Sequence, residues 1–421
     1  MMRKVLVVSH DFPPRYGMGA LRVGKLIKYL PEFDYFPLVL AGGKVKDDEP
    51  LVFRPPLPDV VAWAKRLLRG AAQGQDKGEK TESSHRPPIK EAMGWWPPSE
   101  VRMPDKYLYW VIPAVWLGLQ IMKRHHPGLI FSSSGPPSSA IVASILQKLS
   151  GVPWVAEFRD LWARNPYEVR TPGLNRLDNW LEARVLKNAT SLVSISEPLA
   201  RQLAAEHGKP GFVVYNGFDE DDYPATVSLS ETFLITYTGM IIRGKRDPSP
   251  LFQAVKLLSD RHRISPATFK VRFYGPQVAA EVGPLAEHFG VGQFCELHDP
   301  VPYRACLHRQ CESSLLLLLE WNDPRARGTV TGKIFEYLGA GRPILCLGYP
   351  QGALAQVLDI TGGGVILNDP AQIAAYLLDQ LKAWRQQVPA IREVERPLAV
   401  SRFSRRAAAQ EMARIFDLSI R

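Results

Sequence analysis

Lys333 and Glu336 stand one helical turn apart in a segment that runs from Thr331-Gly332-Lys333-Ile334-Phe335-Glu336 to Gly339-Ala340-Gly341. The pattern reads as a helix entered through a glycine and stopped by Gly-Ala-Gly, with a buried strand at Pro343 to Leu347 behind it. The first N–H groups of a helix have no partner within it and carry partial positive charge, so Thr331 and Gly332 would face a phosphate, and Lys333 adds a full charge there. Glu336 is placed to accept two hydrogen bonds from a ribose diol, as an acidic residue does in other dinucleotide sites. The competing reading is a helix start whose Lys and Glu are satisfied at the surface.

Two further groups follow strand-like runs, and open parallel sheets bind ligands at the carboxyl ends of their strands. After Phe233 to Thr238 comes Gly239-Met240-Ile241-Ile242-Arg243-Gly244-Lys245-Arg246-Asp247, three cations near one strand end, which suits an anion and equally suits a solvated turn. After Lys4 to Ser9 comes His10-Asp11-Phe12-Pro13-Pro14-Arg15-Tyr16-Gly17-Met18-Gly19-Ala20. Gly17 and Gly19 let the backbone approach a diphosphate just before a helix starts. A G-x-G spacing is also what a simple strand-to-helix turn requires.

Length and composition bound the elements that must position these groups. The 421 residues suggest two or three domains, and 46% hydrophobic with 22% charged residues supplies full cores without the signature of disorder. Cys295, Cys306, Cys311 and Cys346 form no C-x-x-C pair, and Val5-Leu6-Val7-Val8 is too short for a signal core, so a cytoplasmic protein is expected. His125-His126 lacks the companions of a metal site and reads as a helix end, so no metal is expected.

A net charge of +10 calls for a partner. Nucleic acid fits poorly, because the basic residues are spread along the chain without a recognition motif. The denser groups, Val60 to Arg69 and Lys106 to Arg124, mix Lys and Arg with aromatic and aliphatic residues, as does Trp95-Trp96. Such segments suit an anionic membrane surface, and a core helix with solvated ends is the alternative for 107–122. That run is broken by Pro113 and too short to span a bilayer.

Short β-branched runs alternate with longer helical patterns, which predicts α/β architecture with parallel sheets. Strands are expected at Lys4 to Ser9, Phe36 to Leu40, Gly128 to Ser132, Pro153 to Phe158, Ser191 to Ser194 and Phe212 to Tyr215, with helices between them. After Asp219-Glu220-Asp221-Asp222 the pattern restarts at Phe233 to Thr238, Lys270 to Tyr274, Leu315 to Leu319, Pro343 to Leu347 and Gly364 to Leu367. The stretch 44–104 fits neither pattern and reads as an insertion or mobile loop.

In this order the parts resemble the retaining nucleotide-sugar glycosyltransferases of family 4, along almost the whole chain. The resemblance is carried by the glycine loop after the first strand, Pro136-Pro137, Glu157-Phe158-Arg159-Asp160-Leu161-Trp162, Val193 to Ser196, Val214 to Asp219, Gly239 to Lys245 and Lys333 to Pro343. It implies the GT-B fold, with two Rossmann-like domains whose parallel sheets face each other across a cleft. An acceptor-side domain would cover 1–218, a nucleotide-sugar domain 219–400, and a C-terminal helix at 401–421 would pack back on the first. The family's diphosphate-binding lysine matches Lys245, while the arginine expected beside Gly239 is Met240, with Arg243 nearby to compensate. Of two glutamates separated by seven residues, the second matches Glu336 and the first position holds Gly328. The family's histidine position is occupied by Arg159, which leaves Asp160 as the acidic group on the acceptor side. The resemblance thus assigns catalysis to Asp160, Arg159 and Lys245. Donor binding falls to Gly17, Gly19, Gly239, Arg243, Lys245, Thr331, Gly332, Lys333 and Glu336, with no cofactor and no metal.

The implied reaction transfers a sugar, with retention, from a UDP- or GDP-sugar to a lipid-linked or polysaccharide acceptor in bacterial surface glycan synthesis. The expected place is the inner face of the cell membrane, on an anionic surface. A nucleotide-sugar epimerase on the same fold and a catalytically silent scaffold are the alternatives.

Overall fold

A computed structural model describes residues 2–14, 17–43, 51–56, 103–165, 170–386, 391–394 and 396–420. Most of the 44–104 stretch, including Trp63 and Trp95-Trp96, lies outside them. Two sheets carry the fold. The first is ordered β3 (Val52–Phe53), β2 (Tyr35–Ala41), β1 (Arg3–Ser9), β4 (Leu129–Ser134), β5 (Trp154–Phe158), β6 (Ser191–Ser194), β7 (Gly211–Val213). The second is ordered β11 (Cys295–His298), β10 (Phe269–Tyr274), β9 (Phe233–Thr238), β12 (Leu315–Leu319), β13 (Ile344–Leu347), β14 (Gly364–Ile366). β1 pairs in parallel with β2 and β4, and β9 with β10 and β12. In each sheet the chain first winds outward to one side and then returns to the other side of its starting strand. That reversal leaves a switch point at the carboxyl ends of β1 and β4, and another at those of β9 and β12, where ligands of such sheets bind.

The chain divides into two compact units, residues 1–15, 35–191 and 419–421 in one and 16–34 and 192–418 in the other. In the second unit the sheet is buried on both faces. Leu315, Leu317 and Leu319 enter one core with the helices Ser249–Asp260 and Pro370–Gln386, while Leu316 and Leu318 enter another with Gly332–Ala340 and Ala353–Thr361. A continuous leucine run is what a strand covered on both sides requires.

Several expected elements hold to within a residue or two, and Phe233–Thr238, Leu315–Leu319 and Ser191–Ser194 have the expected bounds. The structure adds β3 inside the stretch read as an insertion, the edge strand β11, and a short antiparallel pair, β8 (Thr226–Ser228) with β15 (Ile391–Glu393). The aromatic segment around 107–122 becomes a short 3-10 turn, Leu108–Trp110, and a helix, Val111–His125. Pro113 is accommodated in its first turn, where the missing N–H has no helical partner to lose. The helix ends at His125, with His126 in the left-handed conformation. Among the described residues no helix is long and apolar enough to cross a membrane.

Candidate functional site

In the second unit, the tips of β9 and β12 and the start of the helix Gly332–Ala340 bring charged groups together. β9 turns at Gly239, whose φ of 131° is open to glycine and strained for other residues. A second constraint acts on the same atom: a Cβ there would lie 2.5 Å from Lys333 Nζ, so the lysine stem passes over bare backbone. Lys333 Nζ donates to the Tyr237 hydroxyl at 3.3 Å and lies 5.0 Å from that ring's centroid. Burial, reinforced by Arg246, pulls Lys333 down to about 8, against the opposing pull of Glu320 and Glu336.

The helix carrying Lys333 begins after Thr331, whose backbone is extended and whose side chain makes no cap, and it ends at Gly341 in the left-handed conformation. Its fifth residue, Glu336, is buried. Burial raises the Glu336 carboxyl, opposed by a hydrogen bond from Gln310 Nε2 at 3.5 Å and by Lys333. Thr238 N donates to the Tyr337 hydroxyl at 3.0 Å, which ties the strand tip to the same helix.

Expected and unexpected residues meet here. Gly239, Thr331, Gly332, Lys333 and Glu336 share this site. At Gly332 a side chain would collide with Met18, so the Gly17-Met18 turn stands against the same helix start. Gly17, with φ 147°, is the residue before the helix Met18–Tyr29, and Gly19 lies inside its first turn. Lys245 Nζ is 4.6 Å from the Trp321 ring centroid. Arg243 goes elsewhere, to Glu281 at 2.7 Å, and its side chain is exposed. The cation that enters the site is Arg246, which donates to Met240 O at 3.1 Å and reaches Glu320 Oε1 at 3.5 Å.

Glu320 directly follows β12 and was not singled out in the sequence. Its only local signal is a carboxylate ending a run of five leucines, a costly place for a charge without partners. Gly328, the position of the absent first glutamate, is packed: its carbonyl accepts from Ser196 Oγ at 2.6 Å, and a Cβ would fall 2.7 Å from Leu199 Cδ2.

In the first unit, the tips of β4 and β5 carry the acceptor-side candidates. Arg159 donates to Gly135 O at 2.7 Å and approaches Ser134 O at 3.4 Å, over a glycine with φ 135°. Asp160, next along, is exposed. Glu157 is fully buried and accepts from Ser133 Oγ at 2.6 Å. At the tip of β1, His10 is buried, its Nδ1 3.1 Å from Asp11 Oδ1 and its ring 3.8 Å from that of Tyr107. Asp105 accepts from the N–H and hydroxyl of Ser138 at 2.7 Å each, and so anchors the start of the helix Ser138–Ser150 behind Pro136-Pro137.

The segment Val214 to Asp219 is also tied within the second unit. Arg22 donates to Val214 O and Tyr215 O at 2.8 Å each. Asp219 accepts from Lys25 and Tyr29 at 2.6 Å and from Lys28 at 2.9 Å. Burial alone would raise the Asp219 carboxyl, but these three bonds outweigh it and hold it well below the usual carboxylate range. From the last helix, Arg405 bonds Asn216 and Arg406 pairs with Glu32 at 2.9 Å.

This architecture is the GT-B fold. Residues 78–222 match the family described as Glycosyltransferase Family 4. Over the whole chain the structure resembles sucrose-phosphate synthase from Thermosynechococcus elongatus (TM-score 0.62, 13% identity, 99% of each chain). It also resembles Anabaena HepE in complex with UDP-glucose (TM-score 0.57, 13% identity, 99% of this chain and 100% of that one). A third similar structure is a putative UDP-N-acetylglucosamine 2-epimerase from Listeria monocytogenes (TM-score 0.56, 14% identity, 99% of this chain and 96% of that one). No curated protein matches the sequence. The family match and the fold together support a glycosyltransferase.

Proposed function

We propose that this chain is a retaining glycosyltransferase that takes a sugar from a UDP- or GDP-sugar and passes it to a hydroxyl of a lipid-linked or polysaccharide acceptor in bacterial surface glycan synthesis. The observation that carries the proposal is the passage of Lys333 over Gly239 at the start of the helix Gly332–Ala340. It sets a cation and unpaired N–H groups together at a switch point. As the bond to the anomeric carbon breaks, negative charge gathers on the departing diphosphate. Lys333, Lys245 and Arg246 stand where that charge would be met, so electrostatic stabilisation supplies the main catalytic effect. Glu336 would take the ribose diol, and UDP-glucose in the complex with HepE is a precedent on this fold for such a donor. No residue is assigned to a cofactor or metal. On the acceptor side, Arg159 is fixed against the β4 tip, and we assign Asp160 to orient or deprotonate the acceptor hydroxyl.

A membrane-facing role at the inner face of the cell membrane is supported by the helix Val111–His125. Leu108, Tyr109, Ile112, Trp116 and Leu119 form an exposed apolar face, with Ile112 82% and Trp116 59% exposed. Lys106, Lys123 and Arg124 are exposed beside it. Apolar side chains flanked by cations are what an anionic lipid surface holds.

A catalytically silent scaffold is the second reading, favoured by the packed Gly328, which leaves no carboxylate at that position, and a nucleotide-sugar epimerase on the same fold is the other alternative. Incubation with a panel of nucleotide sugars separates the readings. Release of the nucleoside diphosphate, by transfer or slow hydrolysis, supports the transferase. Isomerisation of the sugar with the nucleotide intact supports the epimerase, and binding without turnover a silent scaffold.

A further inference from the structure

Glu320 is a largely buried carboxylate inside a cluster of cations that the proposed reaction uses for a diphosphate. Its neighbours come from every element packed on it. Arg246 from the turn after β9 lies 3.5 Å away, Lys333 and Thr331 approach from the helix start, Tyr237 from β9 and Cys346 from β13. Its side chain is 9% exposed, and its own N–H donates to Leu347 O at 2.9 Å, so the backbone beneath it is fixed. Around Glu320, Arg246 and Lys333 supply two positive charges to its one negative charge, while Glu336 is set against Arg405. A diphosphate diester brings two more negative charges, which leaves one in excess in a partly desolvated site. Glu336 lies deeper, against Gln310 and within reach of Arg405, whereas Glu320 sits on the cations that the phosphates would contact.

We infer that Glu320 is the resident counter-anion of the diphosphate site: it holds Arg246 and Lys333 in place when the site is empty and takes up a proton from solvent when a nucleotide sugar binds. The inference rests on the nucleotide-sugar reading. Burial, opposed by Arg246 and Lys333, already raises the Glu320 carboxyl, so protonation starts from a shifted position. A diphosphate that draws the same two cations away raises it further. Binding is then coupled to proton uptake, and affinity falls as pH rises through the interval between the free and bound values.

The test is calorimetric titration of UDP-glucose and, in parallel, GDP-mannose into the wild-type protein and Glu320→Gln between pH 5 and 7.5, in pairs of buffers with different ionisation enthalpies. Neither diester titrates in that range, and Lys333 stays charged through most of it. Wild type is expected to bind more tightly as pH falls, with net proton uptake. Glu320→Gln should bind about tenfold more tightly than wild type near pH 7, with a smaller pH dependence and less proton uptake, the remainder coming from Lys333. Wild-type binding without proton uptake overturns the inference whatever the variant does. Equal affinities, or loss of binding in a folded Glu320→Gln, also overturn it and leave the nucleotide site standing. If neither sugar nucleotide binds either protein, the nucleotide-sugar reading falls and takes the inference with it.

Discussion

The switch point at β1 and β4 and the one at β9 and β12 are built on the same topology and differ in the described partners of their charged groups. At the first, polar groups meet short local partners: Glu157 takes a hydroxyl from the neighbouring strand, Arg159 takes carbonyls, and Asp105 takes the start of a helix. At the second, charges are crowded and desolvated, with Lys333 lowered and Glu320 and Glu336 raised. Groups held away from their ordinary ionisation are enriched at sites that bind ligands or do chemistry. That contrast is why we propose the second site for the nucleotide and the first as a frame for an acceptor.

The largest expected effect tests the first site. Asp160→Asn should lower transfer by on the order of 100-fold while donor affinity stays nearly intact, measured as kcat against the nucleotide Kd. Normal turnover would reduce that site to a frame alone and widen the contrast.

Next come Glu336→Gln and Lys245→Ala, each expected to weaken nucleoside diphosphate binding by about 1 to 3 kcal/mol in calorimetry. Unchanged affinity in both variants would remove the nucleotide from the second site and break the comparison.

A smaller effect follows from Lys333. With its folded value at about 8, below the ordinary lysine value of 10.5, the ammonium loses its proton first in the folded, empty protein. A diphosphate favours the charged form, so affinity should fall above pH 8 by up to about tenfold per pH unit. Lys333→Arg should flatten that fall. Stability has the opposite sign: between 8 and 10.5 the unfolded chain binds more protons, so the cost of burying this charge is relieved as pH rises. A folding stability that fails to rise there, relative to Lys333→Met, would contradict the assignment.

The smallest effect concerns the exposed helix face. Co-sedimentation with anionic liposomes should be released by high salt and reduced several-fold in Ile112→Ser with Trp116→Ser, since each cation near such a surface adds about 1 kcal/mol. Equal binding to neutral and anionic vesicles would remove the membrane from the account.

What was legible in the sequence follows from distance along the chain. Leu315 to Leu319 and the Gly-bounded helix at 332–340 are local patterns, and their bounds were readable. β11 was not, because Glu296 and His298 interrupt its apolar residues at a sheet edge. Lys333 and Glu336 were legible as a helix start, but Arg246 and Glu320 became a pair only across 74 residues. Lys25, Lys28 and Tyr29 meet Asp219 across about 190, and no spacing rule reaches that far. Arg243 and Arg246 lie in one loop, and only the turn at Gly244 and Lys245 decides which faces the strand tip.

Those long separations also set an order of assembly. The helix Met18–Tyr29 is made early, yet its lysines await Asp219, and Asn216 beside it awaits Arg405 from the last helix. Loop-closure entropy must be met before such contacts form, so a chain growing from its amino end carries the helix Met18–Tyr29 with an unmatched charged face until Asp219 to Asp222 arrive, and carries Asn216 and Glu32 without Arg405 and Arg406 until the helix Arg405–Ile420 is complete. Truncation within Arg405–Ile420 should therefore be felt first as slow, aggregation-prone folding of the unit that holds Lys333, well before any loss of chemistry at the site itself.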